Sequence, residues 1–112
     1  MKPDDAIRIR HMIDATQMVQ QFIVGRRRAD LDSDMKLLFA LCQALQIVGE
    51  AASRVSAETR SAAPSVPWAR IIGMRHRLVH AYADIDREVV WKTVTLDIPA
   101  LLPSLISLLP SD

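Results

Sequence analysis

The chain has 112 residues, half of them apolar and only 4% aromatic, with 14 Lys and Arg against 13 Asp and Glu. That length suits one domain, 1–112, whose modest core would gain from a partner. Near-neutral charge excludes a general electrostatic hold on nucleic acid or membrane, so such a role must rest on a local site, and a lone cysteine, Cys42, excludes a disulfide framework or thiolate metal cluster.

The N-terminal "MKPDDAIRIR" is charged where a secretory signal would be apolar, which makes a cytoplasmic location the expectation. A first helix should start at Asp4 or Asp5, whose carboxylates can cap free N–H groups. Ile9, Met12, Thr16, Val19 and Ile23 then form one stripe at three- and four-residue spacing, and Gly25 is a natural stop. "GRRRADLDSD" reads as a charged, solvated turn, with Asp32 or Ser33 capping the next helix.

The second helix has the clearest pattern in the chain. Leu38, Leu41, Leu45, Val48, Ala52 and Val55 repeat along one face, and Leu37, Ala44 and Ala51 widen it beyond a coiled-coil seam. Cys42 falls within this pattern as a small buried hydrophobe. The helix should end near "SAETR", and the prolines of "SAAPSVP" make that stretch a linker. A third helix is expected from Trp68 to Ala81, with Pro67 in its first turn.

"EVVWKTVTL" is β-branched enough to suggest a strand, but a lone strand in a helical domain has no partner, so a short helix is expected. "ALLPSLISLL" is a last apolar helix that Pro103 starts or kinks, too short and Pro-interrupted to span a bilayer. The fold class is therefore all-α: a bundle of four to five helices, with an up-and-down core and short C-terminal helices.

"GMRHRLVHAY", residues 73–82, does not fit a plain core helix. At ~100° per residue, Arg75 falls within the apolar arc of Ile71, Ile72, Met74, Leu78 and Val79, with Tyr82 above it and His76 and His80 on a neighbouring face. A guanidinium there needs an anion or a dense set of acceptors. A surface salt bridge with two ordinary histidines is one reading. A metal held by His76 and His80 is another, but it needs a third ligand from His11 or a carboxylate beside a repelling arginine. The third is an anion site, where arginine steadies a phosphate and histidine moves a proton, as metal-independent RNA cleavage requires. On a straight helix Arg75 and His80 point ~140° apart. A compact site then needs a reaching arginine, a helix that ends there, or two subunits pooling their motifs.

"RHRLVHAY" resembles the R-x4-H-x-Y signature of the HEPN superfamily, in its HepT-like toxin branch. The flanking "VPWARIIGM" and "DIDREVVWKTVTLDIP", and "VGEA" in the second helix, extend the similarity over nearly the whole chain. His76 departs from the commonest form, which has asparagine after the arginine. The resemblance implies a HEPN-like bundle acting as a metal-independent endoribonuclease, with two copies of the motif lining one cleft of a homodimer and no cofactor. It implies a type VII-like toxin–antitoxin pair, in which an MntA-like nucleotidyltransferase transfers AMP to Tyr82 and silences the nuclease. Carried over, Arg75 binds the scissile phosphate, His80 is general base or acid, and His76 orients the phosphate or shares proton transfer. The alternative is a noncatalytic HEPN-like subunit that binds a nucleotide or partner beside a nucleotidyltransferase; only the nuclease needs His80 as a proton carrier.

Other residues have plainer roles. Asp84 and Asp86 suit caps of the following helix, and Trp68 and Trp91 suit core or interface anchors. Glu50 either reaches Arg75 or stays at the surface.

Overall fold

A computed structural model of the chain describes residues 1–80 and 84–110. The all-α architecture is as expected, with a core of two long helices and shorter elements toward the C-terminus. Helix α1 (Pro3–Phe22) lies antiparallel to α3 (Met35–Ser53), across a one-turn α2 (Asp30–Ser33). Leu38, Leu41, Leu45 and Val48 of α3 are wholly buried against Ile9, Met12 and Val19 of α1, so the two sequence stripes face each other. Burying them is the main source of stability, since removing apolar surface from water is worth about 25 cal/mol per Å². Gly25 has φ 73°, the left-handed conformation that ends the first helical region.

The helix ends differ from expectation in two instructive ways. Asp4 and Asp5 do not cap α1; Asp5 lies within its first turn, is only 3% exposed, and is turned across the bundle. It accepts hydrogen bonds from the Ser56 hydroxyl (2.6 Å), the Thr59 hydroxyl (2.6 Å) and the Ser56 backbone N–H (2.9 Å). Ser56 in turn caps α4 (Ala57–Ala62), accepting from the Thr59 N–H. The donors, the Ser56 hydroxyl foremost, hold the Asp5 carboxyl down at about 2 against burial, which pushes the other way. Helix α3 therefore stops at Ser53 rather than near "SAETR", because α4 is a separate element tied to the start of α1. Likewise α3 is capped by Asp34, which accepts from the Leu37 N–H at 3.1 Å, rather than by Asp32 or Ser33.

The expected helix from Trp68 to Ala81 is broken. It runs as α5 (Trp68–Ile72), is interrupted at Gly73, resumes as α6 (Met74–Leu78) and then leaves the helix altogether. Val79 is extended (φ −122°, ψ 118°), and β1 (Val79–His80) pairs antiparallel with β2 (Asp84–Ile85), Val79 opposite Ile85 and His80 opposite Asp84. β-branched Val79 and Ile85 suit this ribbon. The Asp86 N–H closes it on the Leu78 carbonyl at 2.8 Å.

Helix α7 (Arg87–Lys92) follows, then a π-helical stretch (Thr93–Asp97) and α8 (Ile98–Leu108), so "EVVWKTVTL" is helical as expected. Asp86 caps α7 through the Val89 N–H, while Asp84 lies in β2. Thr93 and Thr95 donate their hydroxyls to the carbonyls of Val89 and Trp91, each at 2.7 Å, supporting the widened turn. Pro99 lies in the first turn of α8 and Pro103 inside it. Joined in this way, Arg87–Leu108 is long and apolar enough to cross a membrane by length and composition, as is α3. Both bury apolar side chains within the bundle: Leu38, Leu41 and Leu45 on α3, Val90, Val94, Ile98 and Leu105 on the other.

Candidate functional site

The break at Gly73 decides how the motif is presented. Ile71, Met74 and Leu78 are buried, while Ile72 and Val79, on the other flank of the apolar arc, are half-buried. Arg75 lies toward that flank and is exposed rather than sunk in the core, so the cost of a buried guanidinium never arises. Among the described residues no hydrogen bond or ion pair engages it. His76 is exposed beside it.

Both side chains line a groove of about 200 Å³ between α6 and the C-terminal half of α3, together with Gly49, Glu50, Ser53 and Ile72. Gly49 lets α3 come close to α5, the helix that leads into the motif. A Cβ built there would stand 3.1 Å from the Ile71 carbonyl oxygen, and any larger side chain would push the motif away from α3. Glu50 shares the groove with Arg75 without an ion pair between them among the described residues. An acid and an unengaged arginine at the rim of an open groove leave the arginine free to take an anion from solvent.

His80 is located by its backbone, in β1 opposite Asp84. Because α6 ends at Leu78, the ~140° separation of Arg75 and His80 on a straight helix does not apply. Tyr82 and the His80 side chain lie outside the described residues. His11 lines a different groove, on the α1–α3 side, with Arg8, Glu50 and Arg54. Among the described residues no group of three or more His, Cys, Asp or Glu could hold a metal ion.

The basic turn after Gly25 has local partners. Arg28 bonds Glu88 at 2.6 Å and Asp32 at 3.1 Å, and Arg26 pairs with Asp34 at 3.5 Å. The Arg28–Glu88 contact staples the α2 region to α7. Trp68 is buried with its indole N–H donated to the Ala63 carbonyl at 3.0 Å, and Trp91 packs half-buried against the core. Cys42 is buried, and burial pushes its thiol pKa up, away from reactivity. Three cations that the sequence reading did not single out, Arg70, Arg77 and Lys92, cluster on the other side of α6. Arg77 was visible in "RHR", but only folding brings Lys92 beside it.

Residues 12–108 match the family model described as "Ribonuclease HepT-like". The chain is 36% identical over 88 residues to "Probable ribonuclease HepT" of Thermococcus cleftensis, which covers 79% of this chain and 80% of that protein. It is 30% identical over 93 residues, 83% of each chain, to "Putative RNase TTE0752" of Caldanaerobacter subterraneus subsp. tengcongensis. A third relative, "Putative RNase MJ1380" of Methanocaldococcus jannaschii, is 38% identical over 63 residues, 56% of this chain and 58% of that one. No solved structure matches the chain.

Proposed function

Since the chain belongs to the HepT-like ribonuclease family, we propose that it is a metal-independent endoribonuclease whose site is built on Arg75 and His80. The observation that carries this reading is the pairing of an exposed Arg75, with no partner among the described residues, at an open groove with a helix that ends before His80. The reaction is transesterification. His80 takes the proton of the 2′-hydroxyl, whose oxygen bonds to the adjacent phosphorus while the bond to the 5′-oxygen breaks. The products are a 2′,3′-cyclic phosphate and a 5′-hydroxyl, and the leaving oxygen takes its proton from His76 or from the second subunit's copy of the motif. Arg75 stabilises the charge that builds on the phosphoryl oxygens.

The working unit is a homodimer in which two motifs share one cleft, and the cellular partner is an MntA-like nucleotidyltransferase. AMP transferred to Tyr82 would place a bulky anion where Arg75 must receive RNA, which is a physical route to silencing. A phenol makes a poor base at neutral pH, so Tyr82 serves as acceptor rather than catalyst.

The test is cleavage of an RNA panel in EDTA by unmodified protein of verified intact mass, beside His80→Ala and Arg75→Ala folded to the same extent. Wild type should leave 2′,3′-cyclic phosphate ends, and both variants should fail to cut. Binding of RNA or nucleotide without cutting, unchanged by His80→Ala, would replace this reading with a noncatalytic binding subunit.

A further inference from the structure

Beside the Arg75 groove lies a larger one, about 560 Å³, between α6 and the α7 region, and His76 lines both. Arg70, Arg77, Lys92, Asp86 and Asp97 supply its charged groups, and Val89 and Leu96 add apolar wall. The carboxylates are already engaged. Asp97 pairs with Arg70 at 3.1 Å, and Asp86 accepts the Val89 N–H at 3.1 Å as the cap of α7. Arg77 donates to the Arg70 carbonyl at 3.2 Å, a neutral acceptor that leaves its charge uncompensated, and Lys92 is exposed. Among the described residues, Arg77 and Lys92 line this groove without an ion pair, unlike Arg70.

Helix geometry connects the two grooves. Met74 and Leu78 turn into the core. At ~100° per residue, Arg75 then leaves α6 on one side, Arg77 on the other, and His76 points outward between them. A chain of phosphates laid across α6 would meet Arg75, pass over His76 and reach Arg77 and Lys92. Leu96 is 66% exposed at the far wall, an apolar surface of the kind an unstacked base covers. An acidic protein segment would find the same cations, but it would have no reason to continue into the Arg75 groove.

We propose that Arg77 and Lys92 form a second phosphate subsite, which holds the backbone of single-stranded RNA on the opposite side of His76 from Arg75. This rests on the ribonuclease reading and extends it: the enzyme takes an unpaired strand over α6 and binds it by at least two phosphates. Arg77 and Lys92 are binding residues here, remote from the reacting atoms.

The experiment compares wild type, Lys92→Gln, the Arg77→Gln/Lys92→Gln double variant and Arg77→Lys. Each is assayed on a dinucleotide with a single phosphate and on a longer unstructured oligoribonucleotide, over a range of salt. The double variant should raise KM for the oligonucleotide about tenfold at unchanged kcat, and flatten the dependence of log KM on log salt by about 1.4, as loss of two phosphate contacts on a single strand requires. Lys92→Gln should give an intermediate shift, Arg77→Lys should keep the wild-type salt slope, and the dinucleotide should be cut equally by all. If wild type cuts but the double variant keeps its KM and salt slope, the subsite is overturned and the nuclease reading stands. Loss of dinucleotide cleavage in the double variant would equally overturn it, showing that Arg77 acts by supporting the Arg75 groove. If wild type neither cuts nor binds either RNA, both proposals fall together.

Discussion

The two halves of this molecule are built on opposite plans. From Pro3 to Ala62 the chain uses two long helices with matched apolar faces, and its one buried carboxylate, Asp5, is fully provided with donors. From Trp68 to Ile85 the described elements are five residues at most, interrupted at Gly73 and followed by a ribbon of two-residue strands, and Arg75 and His76 face outward. Isolated helices of one or two turns are marginal in water, so α5 and α6 hold their shape by resting on α3. Gly49 is where α5 rests. The difference teaches that a polar side chain can be sunk in the first half when it is fully provided with donors, as Asp5 is, whereas Arg75 and His76 are left open to solvent.

That division can be tested by substitutions that should affect one half and spare the other. The largest effect is expected for His80→Ala and Arg75→Ala, each lowering cleavage by about 10²–10⁴ while the thermal midpoint stays at the wild-type value. A large drop in melting temperature for Arg75→Ala would mean that the arginine is structural after all. Asp5→Ala should do the reverse, costing about 2–3 kcal/mol in denaturant unfolding by leaving the Ser56 and Thr59 donors without their acceptor, with specific activity of the folded fraction retained.

The same carboxylate makes a pH prediction. Its folded pKa of about 2 lies below the ordinary 3.8, so its contribution is complete above that ordinary value and is lost as pH falls through the folded one. Asp5→Asn should therefore be less stable than wild type at neutral pH, and the gap should narrow between roughly pH 4 and 2. A gap independent of pH would show that geometry rather than charge is what Asp5 supplies.

Gly49→Val probes the joint between the halves. Overpacking against the Ile71 carbonyl should cost about 1–3 kcal/mol, and activity should fall as well because the motif moves off α3. Retained activity at reduced stability would mean that the groove tolerates displacement. The smallest effect is expected from Arg28→Gln. It cuts the exposed ties to Asp32 and Glu88, and should barely move the midpoint or the cleavage rate; a strong loss of RNA binding would instead bring the basic turn into the substrate path.

The helical architecture and the motif could be read from the residues because both are local patterns. Leu38, Leu41, Leu45 and Val48 announce α3 through spacing alone, and an arginine among apolar neighbours at 75 is conspicuous in any alignment-free reading. Helix ends were less legible, since Asp5, Asp32 and Asp34 are chemically equivalent caps until the fold selects among them. Asp5 was lost to α1 because Ser56 and Thr59 came within reach, a contact across more than fifty positions of chain.

The exposure of Arg75 and the end of its helix at Leu78 were decided by tertiary packing. Helical periodicity assigns a residue a direction but not what stands there, and on the flank of α6 toward Arg75 there is an open groove rather than another element. Lys92 beside Arg77 is a further decision of that kind. Fifteen positions separate them in the chain, and nothing in local propensity joins them; the pairing of Val79 with Ile85 sets α7 alongside α6. Period and composition thus determined the two long core helices and singled out the stretch around Arg75. Only the packed chain determined which side chains solvent can reach, because accessibility depends on every neighbour at once.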